Sequence, residues 1–423
     1  MNSIPMNKSA STLLVFAVSL TTSAQNLKDL ATKAIDGENF AQAGAYLERA
    51  VAENPNDAEA WYRLGHSLHW LCYDTAPLFN CDNTTSDRVL ECMKKALSLD
   101  PHLRNCYSVI GSEYGARAQR ELQLGKLEGF IAQLRLGRKA GAYPDWLIEY
   151  GRNILASCDR DAILFTGGDA EVFPVWYCQF IDNFRTDVTL VPVPLLDRPW
   201  FLLLLKSGLS DSFPTVSMPW TREQILQMHH AKWSEHTVDV TIPPATRSQH
   251  SVKDSLFKWS IVPDLRRDNR TLLSLNRIAI AGLIKANSWS RPIHFSLGCH
   301  PWMFAGLNDR LQLHGLSQQV VPFSVAERGK IEIQEATKFL GDPNNFRRLV
   351  TLKTEDIPYI SSPLNNYRVL YMMTCDSLLQ RGDKKLARNI LDAMETNVPE
   401  SALPLPDAWR DQINDLRKRV NSN

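Results

Sequence analysis

The chain has 423 residues, of which 44% are hydrophobic and 22% charged. That is the composition of an ordinary folded protein and excludes a disordered or fibrous one. Lys+Arg 47 against Asp+Glu 46 leaves a formal net charge of +1, so there is no general electrostatic case for nucleic acid or an anionic membrane.

The N-terminus reads as an export signal. Residues 1–11 are polar and carry Lys8, residues 12–20 (TLLVFAVSL) form a short apolar core, and Thr22, Ser23 and Ala24 supply a small-residue cleavage site. The expected map therefore opens with a signal peptide, 1–24, a mature chain from Gln25, and a periplasmic or extracellular destination. The competing reading is a buried N-terminal helix. No Cys follows the site to take a lipid. No later run reaches the ~18 apolar residues of a membrane span, so no transmembrane segment is expected in the mature chain. The 8 cysteines would then meet an oxidising compartment. Cys72 and Cys81 bracket a polar loop, with Cys92 and Cys106 nearby, which leaves both a loop-pinning disulfide and free buried thiols open. No pair has the C-x-x-C spacing of a zinc or redox motif.

Residues 25–150 carry internal similarity. One unit ends in Ala43, Leu47, Ala50 and Pro55 and the next in Cys92, Ala96 and Pro101, so the interval from Ala50 to Pro55 repeats from Ala96 to Pro101. Trp61-x-x-Leu64-Gly65-x-x-Leu68 opens one unit and Tyr107-x-x-Ile110-Gly111-x-x-Tyr114 the next. Gly and Ala allow close helix approach, and Pro ends each helix because it has no amide donor. This pattern resembles the tetratricopeptide repeat. The resemblance implies paired helices whose first members line a groove for a peptide or protein partner. It places Glu59, Tyr62, His66 and His69 on that face, with Asn105, Ser108 and Ser112 as their equivalents in the next unit. His66 and His69, three apart, also have chelate spacing, but no Cys or Asp is spaced to join them, so no metal is expected.

From residue 158 the pattern turns α/β. Strands are expected at 162–166, 188–191, 292–296 and 318–322, and a helix at 272–286 leads into the third strand. Residues 210–260, rich in Pro, Ser and Thr, read as an excursion from the sheet with short strands at 237–242 and 256–261. The α/β domain spans 158–330. The tail, 331–423, reads as helical, with a hairpin of helices at 367–379 and 384–395. The fold class is thus a helical repeat array followed by a Rossmann-like α/β domain with a mostly parallel sheet and a C-terminal helical hairpin.

Three stretches carry a second resemblance: DRDAILFTGGDAEVFPVWYCQ, RTDVTLVPVPLLDRPWF and ANSWSRPIHF. They resemble the soluble exported region of bacterial protein O-mannosyltransferase-like membrane proteins. The membrane portion of that family is absent here, so the resemblance implies a free-standing module rather than a glycosyltransferase. Gly168 stands where the family has Asn, and Pro199 follows Asp197 closely.

The candidate chemistry sits at the first strand's carboxyl end, where open α/β sheets bind ligands. Gly167 and Gly168 make a turn, and Asp169 and Glu171 open a helix. The two acids suit acid–base work or sugar hydroxyls, but they equally suit capping of a helix N-terminus. Neither a dinucleotide fingerprint nor a P-loop is present, and no cofactor is expected. Arg291 and His294 flank the third strand and would complete an acid–His constellation if they faced the turn. The alternative is a salt bridge from Arg291 and a half-buried histidine at the sheet edge. Trp176, Tyr177, Asp197 and Trp200 are candidate ligand contacts, because aromatic faces stack on sugar rings; core packing competes for each. His229, His230 and His236 beside Glu235 fit no ligand frame. The leading expectation is a binding and scaffold protein of the cell envelope. A glycan-binding or glycan-processing accessory enzyme, with Asp169, Glu171 and His294 as its catalytic set, is the alternative.

Overall fold

The structure, a computed structural model, describes residues 23–73, 83–209, 213–232, 236–267, 270–352 and 357–422. The expected signal core, Cys81, Glu235 and the side chains of Cys72 and His236 lie outside the described residues.

The first half is helical. It runs α1 (Ala24–Asp36), α2 (Phe40–Glu53), α3 (Ala58–Tyr73), α4 (Asn83–Leu99), α5 (Cys106–Gln123), α6 (Leu127–Lys139) and α7 (Asp145–Ala156). Polar side chains start the helices: Ser23 accepts from the Asn26 amide at α1, and Asn39 from the Gln42 amide at α2. Pro55 and Pro101 fall just past α2 and α4. The helices pack in consecutive pairs, α1 on α2, α3 on α4 and α5 on α6. The first member of each pair also meets the next first member. Lys28 of α1 bonds Asp57 at 2.8 Å, and His69 of α3 meets Glu113 of α5 at 2.7 Å. Gly65 is required by the close α3–α4 approach, because a Cβ there would lie 2.6 Å from Met93 Cε and 2.9 Å from Cys92 Cβ.

The second half is built on a five-stranded sheet in the order β2-β1-β8-β10-β9. Its strands are β1 (Ile163–Thr166), β2 (Thr189–Pro192), β8 (Ile293–Ser296), β9 (Leu311–His314) and β10 (Ser317–Val320). β1 pairs in parallel with β2 on one side and β8 on the other. The expectation of a mostly parallel sheet holds for these three strands. The fourth, expected at 318–322, runs antiparallel to β8, because it is one arm of a hairpin with β9 that turns at Gly315, where φ is 57°. Helix α8 (Asp169–Phe180) links β1 to β2 and packs on α7. That contact is close: a Cβ on Gly151 of α7 would lie 2.8 Å from Pro174 of α8. Helix α12 (Leu275–Asn287) feeds β8, and Phe165 stacks on Phe295 at 4.7 Å in the core between strands.

Helix α9 (Pro199–Ser207) precedes the excursion, which holds α10 (Arg222–Leu226), β3 (Ala231–Lys232), β4 (His236–Thr241), α11 (Pro244–Gln249) and β5 (Leu256–Ile261); β6 (Leu265–Arg267) and β7 (Arg270–Leu273) follow it. β4 and β5 are the two short strands expected there, and they pair as an antiparallel ribbon. The tail runs α13 (Val325–Arg328), α14 (Ile333–Gly341), α15 (Ile357–Gln380), α16 (Lys384–Asn397) and α17 (Asp407–Asn421). The expected hairpin is α15–α16, with Asp383 capping α16; α17 is a third helix packed against both.

Cys92, Cys106, Cys158, Cys178, Cys299 and Cys375 are all free and buried. Burial pushes the thiols of Cys92 and Cys106 up to about 12, so both stay protonated and unreactive at neutral pH.

Candidate functional site

The sheet topology creates one switch point. β1 leads through α8 to β2 on one side, while β8 continues into the hairpin on the other. The crevice therefore lies at the carboxyl ends of β1 and β8, where Gly167 meets Gly298 and Cys299.

Glu171 fills that crevice. One carboxylate oxygen, Oε2, accepts from the Gly167 amide at 3.2 Å and from the Ser296 hydroxyl. The other, Oε1, accepts from the Gly298 amide at 2.9 Å and from the Tyr150 hydroxyl at 3.3 Å. The residue is 3% exposed. Burial pushes its carboxyl above the ordinary value, with the four donors pulling the other way. Two glycines close around it: a Cβ on Gly298 would lie 2.4 Å from Glu171 Cδ, and one on Gly167 would lie 2.5 Å from the Gly298 carbonyl. Thr166, on the same face, buries a hydroxyl with no partner among the described residues.

The remaining expected catalytic residues do not join Glu171. Asp169 stands at the start of α8 and accepts from Ser112 of α5 at 2.8 Å, so it ties the helical half to the sheet. His294 is fully buried two residues before Ser296; its ring meets Asp159 at 3.0 Å and Ser317 at 2.9 Å. That partnership with His294 holds the Asp159 carboxyl below its ordinary range. Arg291 lies beyond the other end of β8. It donates to the carbonyls of Asp161, Ala162 and Thr215 and to the Thr189 hydroxyl. The acid–His constellation expected from sequence is therefore divided among four separate bonding networks. The physical reason is that each group finds a different partner, Tyr150 of α7 for Glu171, Ser112 of α5 for Asp169, Asp159 for His294 and the carbonyls before β1 for Arg291, none of which a local motif reveals.

The aromatic candidates separate as well. Trp176 is buried and lines a cavity of about 450 Å³ with Phe180, Phe213, Gln179, Asn183 and Thr189. Trp200 packs edge-on against its neighbour Phe201 at 5.5 Å. Asp197 meets Arg198 at 3.2 Å, and burial pushes its carboxyl up. Tyr177 is half-buried and Gly168 exposed.

On the helical half, Glu59, Asn105 and Ser108 are exposed. Tyr62 and His66 are half-buried in a ladder with Trp70, whose indole N–H donates to His66 at 3.0 Å. Burial lowers the His66 pKa, so its neutral form prevails. Two members of the expected face belong elsewhere. His69 is buried against Glu113, which also accepts from Ser86, and Ser112 is turned to Asp169. His230 accepts from the Leu275 amide at 3.1 Å and so helps start α12. Among the described residues, no group of His, Cys, Asp or Glu is placed to hold a metal ion.

Sequence reasoning missed Tyr150, Ser296, Gly298 and Asp159. The Arg185-x-Asp187 pair was visible in the sequence, but its role was not. Arg185 forks onto Asp187 and caps α7 through the Leu155 and Cys158 carbonyls.

The fold is thus a helical array joined to a mixed α/β sheet whose switch point is closed by its own carboxylate. The family model of TMEM260-associated domain 2 matches residues 147–260 and 243–338, from α7 through most of α14, just under half of the chain. That family is linked to O-mannosyltransferase-like proteins, which agrees with the likeness read in the three stretches above. No curated protein and no solved structure matches the chain. Among the described residues no helix is long and apolar enough to cross a membrane.

Proposed function

We propose that the chain is a binding and scaffold protein of the cell envelope, exported through residues 1–24. Its tetratricopeptide-like helices would present α3 and α5 to a peptide or protein partner. The observation that carries this reading is the saturation of Glu171. An acid meant to exchange protons with a substrate must be reachable, and this one holds four protein donors in a closed crevice. With the switch point occupied, the polar face of exposed Glu59, Asn105 and Ser108 and half-buried Tyr62 and His66 is the surface proposed to bind the partner. Peptide-library selection against the full chain tests this. Selected peptides should bind at least about tenfold more weakly to a Tyr62→Ala, Asn105→Ala, Ser108→Arg variant that melts normally, about 1.4 kcal/mol. Equal binding to that variant refutes the groove.

A glycan is the second reading. The cavity beside Trp176 supports it, because its lining mixes aromatic, polar and aliphatic side chains and contains no charged one. Quenching of tryptophan fluorescence by monosaccharides, lost in Asn183→Ala with Gln179→Ala, checks it. Absence of quenching at about 10 mM sugar removes it.

A further inference from the structure

A second, smaller cavity lies at the opposite end of the sheet from the Glu171 crevice. It holds about 220 Å³ between α11, the end of α12 and the β8–β10 pair, and Thr246, Gln249, His250, Trp289, Arg291 and Gln319 supply its polar lining. Aliphatic walls come from Ile284, Pro292, Ile293 and Val320. The volume is that of about seven waters at liquid density.

The polar lining is rich in unused donors. Among the described residues, neither ring nitrogen of His250 and no side-chain atom of Gln249 has a hydrogen-bond partner. The indole N–H of Trp289 is buried with no partner. Arg291 commits Nε and both Nη2 hydrogens to oxygens, but only one hydrogen of Nη1, to Thr215. Gln319 adds one free acceptor, since its amide nitrogen is given to Asp159.

The charge around the cavity has the same sign. Arg291 lines it. Arg328 reaches its rim, bonding the His250 carbonyl at 2.6 Å and the Ser251 carbonyl at 3.0 Å. Arg247 belongs to the same short helix as Thr246 and Gln249, and its buried Nε has no partner. Among the described residues, none of these three arginines has a carboxylate ion-pair partner. Of the acids nearby, Asp159 is taken by His294 and Gln319, Asp187 by Arg185, and Asp161 is exposed beside Arg160. The loop that brings Trp289 here is itself costly. Ser288 and Trp289 both have left-handed backbones, with φ of 45° and 65°, and such pairs persist where the surroundings demand them.

We propose that this cavity binds a small oxyanion-bearing molecule, a phosphate ester or a carboxylate. Its acceptors would meet the His250, Gln249 and Trp289 donors under the field of Arg291 and Arg328. The site is separate from the α3–α5 face, so it stands or falls independently of the partner-binding reading.

The test is calorimetric titration of the full chain at constant ionic strength with inorganic phosphate, glucose 6-phosphate, citrate and glucose. One-site binding of a phosphate or carboxylate probe, weakened at least about tenfold by Gln249→Ala with His250→Ala, supports the site. Which oxyanion binds more tightly identifies the source. No saturable binding up to about 10 mM, equal binding of glucose, or binding unchanged in the double variant overturns it. A second readout covers a variant that folds poorly. The indole N–H resonance missing from Trp289→Phe must move in the wild-type spectrum as the oxyanion is added, and a fixed resonance also overturns the proposal.

Discussion

Replacing Glu171 by glutamine isolates the charge and hydrogen-bond pattern of the crevice with almost no change in volume. Each carboxylate oxygen faces one backbone amide, that of Gly167 or Gly298, and one rotatable hydroxyl, that of Ser296 or Tyr150. A hydroxyl can turn and accept; a backbone amide cannot. Whichever way the glutamine is flipped, its NH2 opposes a buried backbone N–H. A buried donor left unsatisfied costs about 1–3 kcal/mol, and the opposed donors add to it, so about 2–4 kcal/mol is expected. One core cluster runs from Val89 to Val420, and for a cooperative unit of that size the loss lowers the melting temperature by roughly 2–5 °C. The pH dependence follows from the raised carboxyl. A group whose folded pKa is raised contributes most below its unfolded value, near 4.5, and loses that contribution as pH rises through the folded value. The protonated acid keeps a lone pair for the backbone amide and can point its own O–H at Ser296 or Tyr150, which glutamine cannot do. The gap between wild type and Glu171→Gln should therefore be widest at acid pH and narrow toward neutrality. Calorimetric melts from pH 5 to 8 measure it. A Glu171→Gln protein melting within about 1 °C of wild type throughout would refute the closed-crevice argument.

Two further perturbations probe the joints around that crevice. Gly115→Ala puts a Cβ 2.0 Å from Cζ of the buried Phe173, where α5 meets α8, and should cost about 1–3 kcal/mol in urea denaturation. Phe173→Leu should relieve part of that loss, and an additive double variant would show that the two residues do not meet. Burial pushes the Glu149 carboxyl up to about 7, against the Arg348 amide that bonds it at 2.9 Å. Its contribution is then full below pH 4.5 and lost as pH rises through about 7, so stability should fall from pH 5 to 8 more steeply in wild type than in Glu149→Gln. Parallel curves for the two proteins would dismiss the shift.

Much of the architecture was legible because it is periodic. The strands at 162–166, 188–191 and 292–296 are short apolar runs stopped by Gly, Pro or Asp, and each appears within a residue of its expected bounds. The paired helices show in the Ala, Gly and Pro spacing, since small residues are needed where backbones approach. The direction of β10 was not legible: parallel and antiparallel arms carry the same alternation, and only the Gly315 turn distinguishes them. Helix α17 falls within the tail read as helical, but it does not stand out as a separate element although Ile413, Leu416 and Val420 mark its buried face, because most of its 15 residues are polar or charged.

The candidate site was half legible for a different reason. A glycine–acid turn after a strand states where a ligand could lie, but not what already lies there. That depends on Tyr150 from the preceding helix and Ser296 and Gly298 from a strand more than a hundred residues later. Asp169 and Glu171 sit two apart at the start of α8, so they leave the helix in different directions. One turns into the crevice between β1 and β8, and the other turns out to Ser112 of α5. A short acidic motif thus does two jobs of assembly. Glu171 joins the first strand to the third in chain order, and Asp169 joins the sheet to the helical array. Ser112 bonds Asp169 at the turn and Gly115 packs on Phe173 further along α8, so α5 is fixed to that helix at two places and the turn is held from both sides.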